Sequence, residues 1–151
     1  MIKRGILTIL ILGFAFTQQS AINAGGRCSG DSEYKKGLAK LSGFRLLKDF
    51  RISLPKAKKN EPVTISYPVS LTAGLKYKFI PVNNPSNEGD MIMNLYLNKR
   101  KEMLIATTYN KATDKHYPSI EFECKTTSTL YLFFSFESGV KGCGVGIVAV
   151  E

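Results

Sequence analysis

Few side chains in this sequence could carry chemistry. The single histidine, His116, lies in a run of turn formers (residues 109–117), with no serine or cysteine set beside it by a nucleophile motif. An imidazole acts as a general base only on a partner held within hydrogen-bond reach, so the spacing assigns His116 no catalytic role. Glu121 and Glu123 stand two apart and therefore share one face of a strand. Glycoside hydrolysis needs two carboxylates facing each other across a cleft, so these two read as solvated. Glu88 and Asp90 are too few acidic groups for a calcium loop, and Asp90 reads as a partner of the turn backbone. Three cysteines and one histidine match no zinc spacing. No P-loop, nucleophile elbow, paired zinc histidines or EF-hand is present. The sequence thus reads as non-enzymatic, with no cofactor and no metal.

Binding residues are easier to nominate. Tyr96, Tyr109 and Tyr117, with Tyr131, are the candidate planar rings for one exposed face on which a sugar could stack, although tryptophan is absent. Lys99, Arg100 and Lys101 crowd one predicted hairpin tip, and Lys56, Lys58 and Lys59 fill another loop. Connections are where binding surface tends to sit. Counting strands up and down puts the two basic groups at opposite ends of the fold, which predicts only weak, salt-sensitive binding of polyanions.

The elements that position these residues follow from the periodicity. Residues 118–124, 129–136 and 142–150 read as three consecutive strands. In the second, Leu130, Leu132, Phe134 and Phe136 line one face, and Tyr131 and Phe133 the other, as in a central strand covered on both sides. The glycines of the third suit close approach of a backbone or a ring. Taken as a meander, this trio separates Cys124 from Cys143 by roughly 25 Å. Disulfide geometry needs Cα atoms within about 7 Å, so Cys28 is expected to pair with one of Cys124 and Cys143.

Upstream, Tyr34, Leu38 and Leu41 recur at helical spacing, with Asp31 or Ser32 as the cap and Gly43 as the stop. This predicts one amphipathic helix over 32–42, packed on the side of the sheets. Five more strands are expected: one with Phe50, Ile52 and Leu54 inward, then 63–71, 75–79, 91–97 and 102–107. Pro68 marks the second of these as an edge strand or one that contains a bulge. Leu75 and Leu97 are counted inward, and 109–117 is read as a polar loop. The fold class is all-β, an eight-stranded antiparallel β-sandwich or jelly roll with one short N-terminal amphipathic helix.

Lys3 and Arg4, the apolar run 6–16 and the small residue Ala24 describe a signal peptide cleaved after residue 24. Arg27, bulky and charged before Cys28, argues against lipidation. The remaining residues 25–151 are expected to form one domain. Without Lys3 and Arg4, the 21 basic residues fall to 19 against 12 acidic ones, a formal charge of +7. That balance suits anionic partners, but its spread along the chain favours the plainer reading of solubility and protected sheet edges. An oxidising compartment, periplasm or cell surface, is expected.

The run 69–150 resembles the bacterial pre-peptidase C-terminal domain. The carrying pieces are Val69-Ser70-Leu71-Thr72-Ala73-Gly74-Leu75-Lys76-Tyr77-Lys78-Phe79, then Asp90 with Leu95-Tyr96-Leu97, and Ile120-Glu121-Phe122 with Ser128-Thr129-Leu130-Tyr131-Leu132. Thr127-Ser128 replaces the family's turn glycine. The layout is similar to small exported proteins of Bacteroidetes-type bacteria. The resemblance implies a secreted, non-catalytic sandwich that aids secretion or binds substrate polymers. The resulting expectation is an exported binding or accessory protein of the envelope, monomeric and without a transmembrane segment. Its partner would be an envelope protein or polysaccharide, not a specific nucleic acid. The alternatives are a carbohydrate-binding module and a hydrolase with an unrecognised site.

Overall fold

The computed structural model describes residues 28–59 and 63–151; the expected signal peptide lies outside them. Helix α1 (Asp31–Leu38) precedes β1 (Arg45–Leu54), β2 (Ile65–Leu71), β3 (Lys76–Asn83), β4 (Met91–Tyr96), β5 (Leu104–Thr107), β6 (Tyr109–Asn110), β7 (Lys115–His116), β8 (Ile120–Glu123) and β9 (Ser128–Phe136). A 3-10 turn, η1 (Glu137–Gly139), then leads into β10 (Gly142–Val150). Eight strands form two four-stranded sheets, ordered β1-β10-β3-β8 and β2-β9-β4-β5, while β6 and β7 pair as a separate ribbon. The protein is an all-β sandwich with one short helix, as the alternation predicts.

The inner faces supply the core. Phe50, Ile52, Leu54, Tyr77, Phe79 and Val148 of the first sheet meet Val69, Leu71, Met91, Met93, Leu95, Leu130, Leu132, Phe134 and Phe136 of the second. Phe134 is completely buried, with the rings of Phe50 and Tyr67 at centroid distances of 5.6 and 6.1 Å. Pro68 sits on the edge strand β2, opposite Tyr131, the place in a sheet where proline is tolerated.

Strand β10 is buried on both faces, and its glycines are the reason it fits. A side chain at Gly146 would enter the Phe134 ring, one at Gly142 the Phe136 ring, and one at Gly144 the Val82 carbonyl. The outer face of the first sheet carries a second small core of Ile80, Val82, Val145 and Ile147, covered by Tyr34, Leu41 and Leu46. Helix α1 lies here with Gly37 against Ile147 and Val82, so the helix does pack on the side of the sandwich. Tyr34 and Leu41 of the predicted stripe cover this core, but the contact face is wider than the stripe. Glu33 and Gly37 are the buried helix residues, and the Glu33 carboxylate accepts a hydrogen bond from Asn84 Nδ2 at 3.1 Å. Helix α1 is capped by Gly30 in the left-handed region, not by Asp31 or Ser32, and ends at Leu38, before Gly43.

Three further expectations are corrected. Strands β8, β9 and β10 are not a meander, because β9 belongs to the second sheet and its sequence neighbours to the first. Successive strands cross between layers, which lets each apolar face meet the opposite one. Leu75 and Leu97 stand just outside their strands and are 38% and 44% exposed. Residues 109–117 are not a plain loop but contain the β6–β7 ribbon. Cys28 pairs with Cys143, Cα to Cα 5.9 Å, tying the segment before α1 to the start of β10. Cys124 is a free thiol buried in the core.

Candidate functional site

The β4–β5 connection presents the most exposed apolar side chains of the second sheet. Leu97, Met103 and Leu104 are 44%, 53% and 48% exposed, and Lys99 and Arg100 project beside them, also exposed. The connection is nevertheless built firmly. Leu97 N–H donates to the Met103 carbonyl at 3.0 Å. The Asn98 side-chain oxygen accepts from the backbone N–H groups of Arg100 (3.0 Å) and Glu102 (3.3 Å), while its amide donates to the Glu102 carboxylate at 2.7 Å. An asparagine that bonds its own following backbone holds a turn without help from a neighbour. Lys101 takes the left-handed conformation, φ 62, which aims the next residues back toward β5.

Lys101 leaves the group to which the sequence assigned it. Its Nζ lies 4.7 Å from the Phe133 ring centroid on the outer face of the second sheet and donates to Thr64 Oγ1 at 3.2 Å. The register agrees with the strand count, since Tyr96 lies across β9 from Pro68 and Met93 across from Ile65. The tip therefore leaves the sheet at the end away from the start of β2. The 56–59 segment is at that other end, where Ala57 N–H donates to the Gly139 carbonyl at 2.8 Å. Lys99 and Arg100 stay with the tip, and only the long Lys101 side chain folds back along the sheet.

The candidate tyrosines are not gathered into a platform. Tyr96 meets Phe133 edge to face at 5.3 Å. Tyr109 stacks on His116 at 4.5 Å, and Lys115 Nζ sits 5.3 Å over the Tyr117 ring. Each ring already has a protein neighbour on a face or edge, and Tyr131 lies on β9 opposite Tyr96 and Pro68.

The β6–β7 ribbon brings together residues that the sequence left apart. Thr108, buried, fixes its start: Thr108 N–H donates to the Met93 carbonyl at 2.9 Å, and Met93 N–H donates to Thr108 Oγ1 at 2.8 Å. Tyr117 N–H donates to the Thr108 carbonyl at 2.8 Å, closing the ribbon. At its far end Tyr109 donates its hydroxyl proton to Asp114 at 2.8 Å. That bond, with burial and the negative charge of Asp114, raises the Tyr109 pKa above its ordinary value.

So held, His116 stands between Asp90, after β3, and Glu137, at the start of η1. Its Nδ1 is 4.0 Å from Asp90 Oδ2, and its Nε2 is 3.3 Å from Glu137 Oε2. The first contact opens on a cleft of about 680 Å³ that Lys36, Lys40, Asn83 and Tyr117 also line. Glu137 lines a second groove, about 480 Å³, shared with Tyr109, Lys101 and Lys111. Nothing in the local sequence signals this cluster, because its members are 26 and 21 residues apart along the chain and only the sandwich closes the gaps.

No protein-family model matches the chain, and no curated protein matches it. Among solved structures it is similar to PliG of Aeromonas hydrophila, a periplasmic inhibitor of g-type lysozyme. The TM-score is 0.51 and the identity 12%, over 73% of this chain and 90% of that one. At such identity the likeness is one of fold.

Proposed function

We propose that this chain is an exported, non-catalytic accessory protein of the bacterial envelope that binds another protein through the β4–β5 connection. The observation that carries this reading is the connection itself: Leu97, Met103 and Leu104 exposed beside Lys99 and Arg100, on a turn locked by Asn98. Methionine and arginine are enriched in protein interfaces, and arginine is among the residues that carry most of their affinity. A turn ordered before binding loses little entropy on docking. The basic tip suits an acidic surface on the partner. The fold likeness to a periplasmic enzyme inhibitor supports a protein partner, and the Cys28–Cys143 bond fits an oxidising compartment. The pre-peptidase C-terminal resemblance points the same way, toward a secreted appendage. A stacking platform for sugars would need rings with free faces, which gives the carbohydrate-binding alternative less support.

The test is direct binding and inhibition against a panel of purified cell-wall hydrolases that includes a g-type lysozyme, run beside a glycan array and a general hydrolase screen of the chain itself. The expected result is stoichiometric binding to a panel protein that Arg100→Ala combined with Met103→Ala weakens at least about tenfold, since loss of a buried anchor costs about 2 kcal/mol or more. Sugar binding without protein binding would replace this reading with the carbohydrate-binding module. Turnover by the chain would replace it with the hydrolase.

A further inference from the structure

The geometry points to a binding site for a divalent transition-metal ion formed by Asp90, His116 and Glu137, independent of the β4–β5 connection. One donor atom from each of the three residues lies within 4.8 Å of the other two. Two donors bound at roughly 2.1 Å to one ion stand at most about 4.2 Å apart, so the group needs only a small contraction to close on a metal. Asp90 and Glu137 can make it, because both carboxylates reach solvent, 55% and 33% exposed. The Nε2–Oε2 distance of 3.3 Å already matches two neighbouring ligands of a tetrahedral ion, which are about 3.4 Å apart at such bond lengths.

A second observation points the same way. His116 Nε2 is shut off from solvent and has no hydrogen-bond partner; Glu137 Oε2 is near it but outside hydrogen-bond directions. A buried polar atom left unpaired is costly, and a metal ion between Nε2 and Glu137 satisfies it. The surroundings are those of an organised site. Asn83 Nδ2 donates to Asp90 Oδ1; Asp90 Oδ2 faces Nδ1 at 4.0 Å, so the Asp90 carboxylate swings toward the Nε2 side to join the ion. Glu137 N–H donates to the Asp90 carbonyl at 2.9 Å, joining the two carboxylate-bearing segments. The Tyr109 ring lies along His116 and sets its plane. Partners of this kind orient metal ligands and raise affinity.

The donor set selects the ion. One imidazole nitrogen and two carboxylates suit zinc, cobalt, nickel or manganese, whereas calcium and magnesium take oxygen ligands throughout. Three protein donors leave a coordination position for water or for a group brought by a partner.

The experiment uses the untagged mature chain, stripped with a chelator. Zinc is titrated by calorimetry, and cobalt by its visible absorption, which reports nitrogen–oxygen coordination. One-to-one binding is expected, with a melting temperature that rises with zinc. His116→Ala and Glu137→Gln should each weaken binding at least about tenfold. If His116→Ala does not fold, Glu137→Gln and Asp90→Asn carry the reading. No binding by millimolar zinc would overturn the inference. So would binding unchanged in all three variants, or a cluster that stabilises the protein equally with and without metal.

Discussion

Gly146 and Phe134 should behave as one packing unit. They face each other across the two sheets, and a methyl group added at Gly146 would enter the Phe134 ring, with Met93 beside it. Phe134 is completely buried against Phe50 and Tyr67. Overpacking a filled core costs about 1–3 kcal/mol, so Gly146→Ala should be destabilising even though alanine is otherwise the better strand residue. Phe134→Ala should cost about 3–5 kcal/mol through lost burial and the cavity it leaves. In the double variant the new methyl enters that cavity. The clash disappears, and part of the lost contact returns. The cycle should therefore show coupling of about 1–3 kcal/mol, as expected of residues that share one space. For a folded part of this size, 1 kcal/mol moves the melting temperature by roughly 4 °C. Phe134→Ala alone should then melt about 12–20 °C below the parent, and the double variant no lower than that. Thermal and urea unfolding of the four proteins measure this. If Gly146→Ala lowers stability equally in both backgrounds, within about 0.5 kcal/mol, the two residues are not in contact and the facing of the sheets is wrong.

Other outcomes follow from particular contacts. Replacing Cys28 and Cys143 together by serine opens a loop closed over 115 residues and should cost about 2–5 kcal/mol; urea unfolding with and without reductant reads it, and Cys124, buried and free, should show no reaction with a thiol reagent until the protein unfolds. Gly37→Val should loosen α1 from the first sheet, because the side chain would strike Ile147 and Val82. Hydrogen exchange should then rise in α1 while the strand cores stay protected. The Glu121 pKa is held below its ordinary value, first by its hydrogen bond to Lys76 and then by the charges of Lys76 and Lys78. A depressed carboxylate pKa contributes stability above its unfolded value, near 4.5, and that stability is lost as pH falls through the folded value. Glu121→Gln should thus flatten the melting-temperature profile below about pH 4.5 and change little at pH 7 in high salt, since the pair is exposed and screened.

The chain by itself determined the class of fold and much of its packing. Alternation alone places Phe50, Ile52, Val69, Leu71, Tyr77, Phe79, Met91, Met93, Leu95, Leu130, Leu132, Phe134 and Phe136 inside, and the structure buries each of them. A period of two has only two phases, and the polar or charged residues of a strand choose between them. Pro68 on an edge and the close-packed glycines of β10 were legible for the same reason, since each residue type tolerates few environments. Cys124 and Cys143 are unbonded as expected, although the meander from which that expectation was argued is not the observed arrangement. Periodicity carries no information about which layer a strand joins. The crossing of β8, β9 and β10 between sheets and the choice of Cys143 over Cys124 as the partner of Cys28 were therefore decided by tertiary structure. The stripe foresaw Tyr34 and Leu41 on the second core, but the close approach of Gly37 to Ile147 was decided there too. Lys101 left its predicted cluster because a long side chain can follow an aromatic face. The Asp90–His116–Glu137 group lay beyond any reading of local spacing. Its members come from the end of a loop, a two-residue strand and a 3-10 turn, and only the folded sandwich brings those three ends to one place.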